Sequence, residues 1–190
     1  MKTVFDKKYL LDNLGCYSEK RMEKLTSHIQ DDSQIHIHEI LDAPKVSLID
    51  KYYFVFANCG INKKDVLELV IQFLIKAKEH LLTIDYSKDL LEIVELVINN
   101  HASSTDKKNI ISKKLIIEDM ITQNNIDQKY IAKGIAHIIN FVGRKGKYDK
   151  IVHILLRDAF LAIKQFDMAI VSRKDLLDDL MKYLKNYTSN

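Results

Sequence analysis

Apolar residues recur at helical spacing along most of this chain. Between residues 63 and 82, apolar side chains recur at every third or fourth position, and Glu68, Gln72, Lys76 and Glu79 recur on the other side. Such spacing places the apolar side chains on one face of an α-helix and the polar ones on the other. The same pattern recurs in four further stretches: 88–101, 107–123, 128–143 and 147–166. Amphipathic helices are therefore predicted over most of the 190 residues.

Capping residues stand where these helices are predicted to begin. Ser47 precedes Asp50 by three residues, a variant of the capping box, so a helix is predicted over 48–59. Gly60 follows, and glycine commonly ends a helix because it adopts the left-handed conformation without strain. Other predicted starts are Asn62, Ser87, Thr105 or Asp106, Asp127 and Ser172.

The first 45 residues have a less regular pattern. "TVFDKKYLLDNL" (3–14) is predicted to be a short helix that ends at Gly15, and a second helix is predicted after Ser18. "QIHIHEI" (34–40) alternates like a strand, but it is short and the sequence offers no second strand to pair with it. We therefore expect irregular structure there, or a turn of helix that ends before Pro44.

The predicted fold class is all-α, with about eight helices joined by short loops. An antiparallel helical bundle and a short stacked helix-pair (solenoid-like) array both fit this order of elements. The single proline and five glycines support the prediction, because β-rich folds need many more special turn positions. We expect one domain over residues 1–190, with a candidate N-terminal lobe at 1–45 and a main helical lobe at 47–187.

Composition favours a cytoplasmic protein. The first fifteen residues interrupt their apolar run with three charges, unlike a signal peptide, and no apolar run reaches the roughly 20 residues of a membrane span. Cys16 and Cys59 lack metal-type spacing and are predicted to be free thiols. We predict neither a cofactor nor a bound metal.

Charge is distributed unevenly between the two halves. Residues 1–100 contain 13 Lys and Arg against 16 Asp and Glu, whereas residues 101–190 contain 16 against 10. The positive excess lies in 107–150, which includes "KKNIISKK" and "GRKGKYDK". One half therefore suits a basic partner and the other an acidic one.

Three sets of residues are candidates for chemistry. His36 and His38 would share a face of a strand and could hold a metal, but a third ligand is missing from the pattern. Arg21 and His28 have the spacing that all-helical RNases of the HEPN type use, although Met22 replaces the polar residue expected after the arginine. Solvated or capping side chains are the favoured interpretation of both sets.

The third set lies on the predicted helix 147–166. Asp149 and His153 are four residues apart, and Arg157 and Asp158 follow, as in a general base with an orienting carboxylate. No nucleophile or phosphate-binding loop completes this set, so a salt-linked helix surface is favoured. The basic region 107–150 is a candidate nucleic-acid surface, but acidic residues are mixed into it.

An unbroken run of Tyr52, Tyr53, Phe54, Val55 and Phe56 stands out in the predicted helix 48–59. Residues 52, 53 and 56 lie on one side of a helix and 54 lies well away from them, so the run is apolar nearly all round. Such a helix is usually central in a fold. Tyrosine hydroxyls need partners, so one side is also a candidate partner anchor.

"SLIDKYYFVFANCGINKKDVLELVIQFLIKAKEHL" (47–81) resembles a segment of an all-helical family of bacterial immunity proteins. These are encoded beside polymorphic or contact-dependent growth-inhibition toxins. The matching positions are Lys51, Tyr53, Phe54, Val55, Cys59 and the helix Leu67–Leu81, and "KDLLEIVELVIN" (88–99) is similar to the family's next helix. Tyrosine stands here where the family often has tryptophan, and the later helices are rich in Ile and Lys instead of Ala.

The resemblance implies an immunity protein that is not an enzyme and that binds the C-terminal domain of a cognate toxin, of a nuclease-like kind. A basic nuclease would meet the acidic half of this chain. The candidate partner-binding residues are Asp31, Asp32, Glu39, Asp42, Asp85, Asp89, Glu92 and Glu95. The alternatives are a nucleic-acid-binding helical protein or HEPN-like RNase, and a helical scaffold or adaptor. No membrane partner is expected, and nucleic acid is the less favoured ligand.

Overall fold

The structure is a computed structural model that describes residues 2–6, 8, 34–83, 87–101, 103, 106–122, 126–144 and 148–189, with the side chains of 57, 58, 127 and 148–153 excepted. Two strands precede the helices: β1 (Val4–Asp6) and β2 (Gln34–His36). The helices are α1 (Ile37–Asp42), α2 (Leu48–Asn58), α3 (Lys63–Leu81), α4 (Lys88–Asn100), α5 (Lys107–Ser112), α6 (Lys114–Ile121), α7 (Ile126–Gly143), α8 (Tyr148–Ile170) and α9 (Lys174–Ser189). This confirms the predicted all-α class.

The chain divides into two compact units. One comprises Met1–Ile61 together with Met181–Asn190, and the other comprises Asn62–Leu180. Helix α9 therefore contributes its first half to the second unit and its second half to the first unit.

The small sheet of the first unit corrects two predictions. β1 pairs antiparallel with β2, with Phe5 opposite Ile35, so residues 4–6 are not helical and the alternating "QIH" is a strand. Phe5 and Ile35 are both buried, which gives this pairing its apolar side. Two three-residue strands are too short for periodicity to reveal their partner. The predicted turn of helix before Pro44 is confirmed as α1.

Helix α2 is the apolar centre of the first unit, as its aromatic run predicts. Tyr52, Phe54 and Phe56 are buried, and Tyr53 is half-buried. The Phe54 ring meets Phe5 of β1 edge to face, with ring centroids 5.1 Å apart. The predicted start and end are also confirmed, because Ser47 Oγ accepts from the Asp50 N–H and Gly60 has a φ of 66°.

The second unit is built on α3, α7 and α8. Helix α8 packs along α7 and against α3, while α4 lies against α3, and α5 and α6 lie against α7. Ten residues of α3 are buried, which explains why apolar positions occupy more than one face of that helix. Residues 144–147 join α7 to α8, and such a short connection suits antiparallel neighbours.

Several predicted helix boundaries in the second unit are wrong. Helix α7 begins at Ile126 instead of after Asp127, and α8 continues to Ile170 instead of ending at 166. The stretch 107–123 is not one helix, because Lys113 closes a tight turn onto Ile110 and separates α5 from α6. Ser172 does not cap the last helix. Helix α9 begins at Lys174, and the Arg173 carbonyl accepts the first backbone hydrogen bonds of that helix.

Candidate functional site

Helix α4 carries an exposed row of carboxylates. Asp89, Glu92 and Glu95 recur every third residue and lie at the surface, so they share one side of the helix. The opposite side is buried in the second unit through Leu90, Ile93, Val94 and Val97. We call Asp89, Glu92 and Glu95 the acidic row.

Side-chain bonds hold α4 firmly against α3. Lys78 Nζ, in the last turn of α3, lies 2.9 Å from Glu95 Oε1 on α4. At the end of α4, His101 Nε2 lies 2.8 Å from Glu68 Oε2, and His101 Nδ1 lies 2.7 Å from the Ile98 carbonyl oxygen. Both ring nitrogens thus lie within hydrogen-bond distance of an oxygen atom. The helix that carries the acidic row is therefore well anchored.

Within the described part of the chain, Asp89 and Glu92 form no ion pair, whereas Glu95 pairs with Lys78. Two of the three carboxylates in the acidic row are thus available to a partner's cations. Unpaired surface carboxylates keep their charge exposed to an approaching protein, which accelerates encounter with a basic one.

The predicted acids of the first unit have local roles instead. The Glu39 carboxylate accepts from the His36 N–H at 2.9 Å and so caps α1. Asp42 accepts a hydrogen bond from Lys185 Nζ, which lowers the pKa of the Asp42 carboxyl. Both side chains are exposed; Lys185 compensates the charge of Asp42, and the Glu39 carboxylate is engaged in the cap of α1. The remaining predicted acids, Asp31, Asp32 and Asp85, lie outside the described residues.

The residues that carry the family resemblance are mainly interior. Lys51 is only 8% exposed, and its pKa is lowered by burial and then by the charge of Lys185. Burial raises the pKa of the Cys59 thiol to about 12. A thiol with so high a pKa is unreactive at neutral pH. These positions therefore form scaffold, with Tyr53 half-buried at its edge.

The candidate catalytic and metal residues are not brought together where the structure describes them. His36 lies in β2 and His38 in α1, so they do not share a strand. The described residues contain no cluster of three His, Cys, Asp or Glu side chains that could hold a metal. Arg21 and His28 lie outside the described residues, as do the side chains of Asp149 and His153.

Asp158 is the buried member of an ion pair that sequence reasoning missed. Its carboxylate is 3% exposed and accepts from Arg144 Nε at 3.1 Å, so it anchors the end of α7 onto α8. His137 lies nearby on α7, with a buried Nδ1 that has no hydrogen bond among the described atoms, and burial lowers its pKa. Arg144 follows the end of α7 and Asp158 lies on α8, so helical spacing gives no sign of their pairing.

Aliphatic side chains on α5 and α6 are unusually exposed. Leu115 is 74% exposed, Ile116 is 41% exposed and Ile111 is 39% exposed. Lys108 and Lys114 are exposed among them. The sequence places the lysines in the basic region 107–150, but the exposure of the neighbouring apolar residues depends on which side of α5 and α6 packs on α7.

Comparisons with known proteins identify no relative. Searches of protein-family models, curated proteins and solved structures each return no match to this chain. Membership of the immunity-protein family therefore stays a prediction from residues 47–81 and 88–99. None of the helices described is both long enough and apolar enough to cross a bilayer.

Proposed function

We propose that this chain is an immunity protein, without chemistry of its own, that binds and neutralises a cognate toxin domain in the cytoplasm. The observation that carries the proposal is the acidic row on α4, whose side chains project from a helix fixed on the opposite side. The resemblance of residues 47–81 to the immunity family supplies the identity of the partner.

A rigid carboxylate row suits the capture of a basic nuclease domain. Nucleases bind phosphate with cationic side chains, and those side chains offer complementary charge to Asp89 and Glu92. Because α4 is anchored through Glu95, Glu68 and its apolar side, little ordering is required when the partner binds. Electrostatic steering then accelerates association, an advantage for an antidote that must act before its toxin does.

Charge reversal within the acidic row tests this proposal. We expect Glu92→Lys to weaken binding of the toxin domain encoded beside this gene by about tenfold, mainly through slower association. Asp178→Lys is the matched control, because Asp178 is exposed on α9 and its substitution changes the net charge equally. Binding kinetics at two salt concentrations provide the measurement. Equal weakening by both variants would remove the acidic row from the interface.

A further inference from the structure

Three cationic residues lie around the end of α7. Lys63, at the start of α3, places its Nζ 3.4 Å from the Arg144 carbonyl oxygen and 5.4 Å from the centroid of the Phe141 ring. Burial, and then the charge of Lys107 on α5, lowers the pKa of Lys63. Lys63 therefore lies within the field of Lys107 and against the backbone of Arg144, and we call Lys63, Lys107 and Arg144 the cation cluster.

The cation cluster has more positive charge than its described neighbours compensate. Asp158 binds Arg144, and its carboxylate is almost completely buried. Among the described residues, Lys63 and Lys107 form no ion pair with a carboxylate. The half-buried positions of both lysines strengthen their repulsion, because water screens them less than at a free surface. An incoming anionic group would relieve this repulsion.

An apolar ridge begins beside the cation cluster. Ile111 follows Lys107 by four residues on α5, so the two share a side of that helix. Ile111 Cδ1 lies 3.7 Å from the position that a β-carbon on Gly143 would occupy, which places Ile111 against the end of α7. Leu115 and Ile116 extend the exposed aliphatic surface onto α6.

We propose that the cation cluster and the ridge of Ile111, Leu115 and Ile116 form one docking surface for a protein segment. That segment would present a carboxylate to Lys63 and Lys107 and apolar side chains to the ridge. Charge complementarity favours the contact of the carboxylate with Lys63 and Lys107. Burial of aliphatic area favours the contact of the apolar side chains with the ridge. The surface does not depend on the acidic row, so it extends the proposed function with a second binding determinant.

A protein segment fits this surface better than nucleic acid or lipid. Surfaces for single-stranded nucleic acid usually stack bases on aromatic side chains, whereas none of the large apolar side chains exposed in the described residues is aromatic. Anionic lipid is disfavoured by Asp119, which is exposed on the same helix as Leu115, whereas Glu118 is paired with Lys114. A polypeptide can place an apolar side chain on Leu115 and keep its acidic group away from these carboxylates.

Selection from a random peptide display library on the full chain tests the proposal. We expect enriched peptides to combine Asp or Glu with apolar residues. Binding of a synthetic peptide with the enriched sequence should weaken about tenfold for Lys107→Gln and for Leu115→Ser. Lys88→Gln and Leu82→Ser are matched controls, because both residues are exposed and lie outside this surface. Circular dichroism of each variant verifies that the fold is retained.

Several results would overturn this assignment. These are the absence of enriched acidic–apolar peptides, or equal binding of the enriched peptide to the test and control variants. Binding of a single-stranded oligonucleotide or of phosphatidylglycerol vesicles that Lys107→Gln and Leu115→Ser abolish would assign the surface to nucleic acid or lipid instead. Glu92→Lys should leave peptide binding unchanged, so failure of this surface is distinguishable from failure of the acidic row.

Discussion

Gly134 of α7 lies where Phe166 of α8 leaves no room for a methyl group. A β-carbon at Gly134 would lie 2.2 Å from Cε1 of the fully buried Phe166 ring. We expect Gly134→Ala to lower the free energy of unfolding by about 1–3 kcal/mol, because the ring must move within a packed core. Urea denaturation provides the measurement.

Gly143→Ala is the control for this prediction. A β-carbon there would meet Ile111 at 3.7 Å, an ordinary van der Waals distance. Its unfolding free energy should stay within about 0.5 kcal/mol of the parent value. The packing argument fails if the two alanine variants are equally stable.

Asp167 provides a pH-dependent test at a single residue. Burial raises the pKa of its carboxyl above the ordinary value, so the ionised form is disfavoured in the folded state. Its charge therefore destabilises the fold above the folded pKa, and this cost disappears as pH falls below the unfolded pKa. Asp167→Asn should raise Tm at pH 7, and the gain should vanish near pH 3.5. A gain that is independent of pH would point to another cause.

The sequence reveals residue types at these positions but not their contacts. Gly134 falls in mid-helix by its spacing, and only the approach of α8 shows why a glycine stands there. The burial of Asp158 is also not evident from the sequence, because its partner Arg144 lies outside α8, after the end of α7. Cys59 is predicted to be a free thiol from the cysteine spacing, and the structure has it free, but its burial is found only in the structure.

At the scale of single helices, Asn62 is a cap with a measurable role. Asn62 Oδ1 accepts from the N–H groups of Lys64 and Asp65, at 2.9 and 3.1 Å. Removing these bonds from the start of α3 should cost about 0.5–2 kcal/mol in Asn62→Ala. Thermal and urea unfolding of the variant provide the measurement.

Ser87 gives a matched comparison for Asn62. It occupies the same position before α4, but its side chain makes no capping hydrogen bond. Ser87→Ala should therefore change stability by only a few tenths of a kcal/mol. If Ser87→Ala destabilises the chain as much as Asn62→Ala does, the distinction between the two caps is wrong.

Helices with strong local signals are predicted to within a few residues. The cap at Ser47 and the stop at Gly60 locate α2, and Asn62 locates the start of α3. The β1–β2 pair is missed because its two strands lie about 30 residues apart and each is only three residues long. The break at Lys113 is also missed, because apolar spacing continues from Ile110 to Ile117 across it.

At the scale of the whole molecule, the all-α class follows from helical periodicity. The compact units do not follow from it, because Met181–Asn190 joins Met1–Ile61 from the other end of the chain. Local patterns cannot indicate such a discontinuous unit. The lobes predicted at 1–45 and 47–187 rest on local patterns alone.

The acidic row and the cation cluster also differ in how far the sequence predicts them. The acidic row is readable from the sequence, because Asp89, Glu92 and Glu95 oppose the apolar positions of a single helix. The cation cluster combines residues of α3 and α5 with the residue after α7, so the sequence indicates only that the region 107–150 is basic. Which charges remain available depends on packing, as the local pairing of Asp42 with Lys185 demonstrates.

The central claim is that this chain neutralises a toxin domain by binding it. The most direct measurement is a titration of the neighbouring gene's product, which the account expects to contain the toxin domain, with the purified chain, reading the toxin's own activity. The account predicts that activity falls linearly to zero at one molar equivalent, with a one-to-one complex on size-exclusion chromatography. Full toxin activity in the presence of excess chain would contradict the claim.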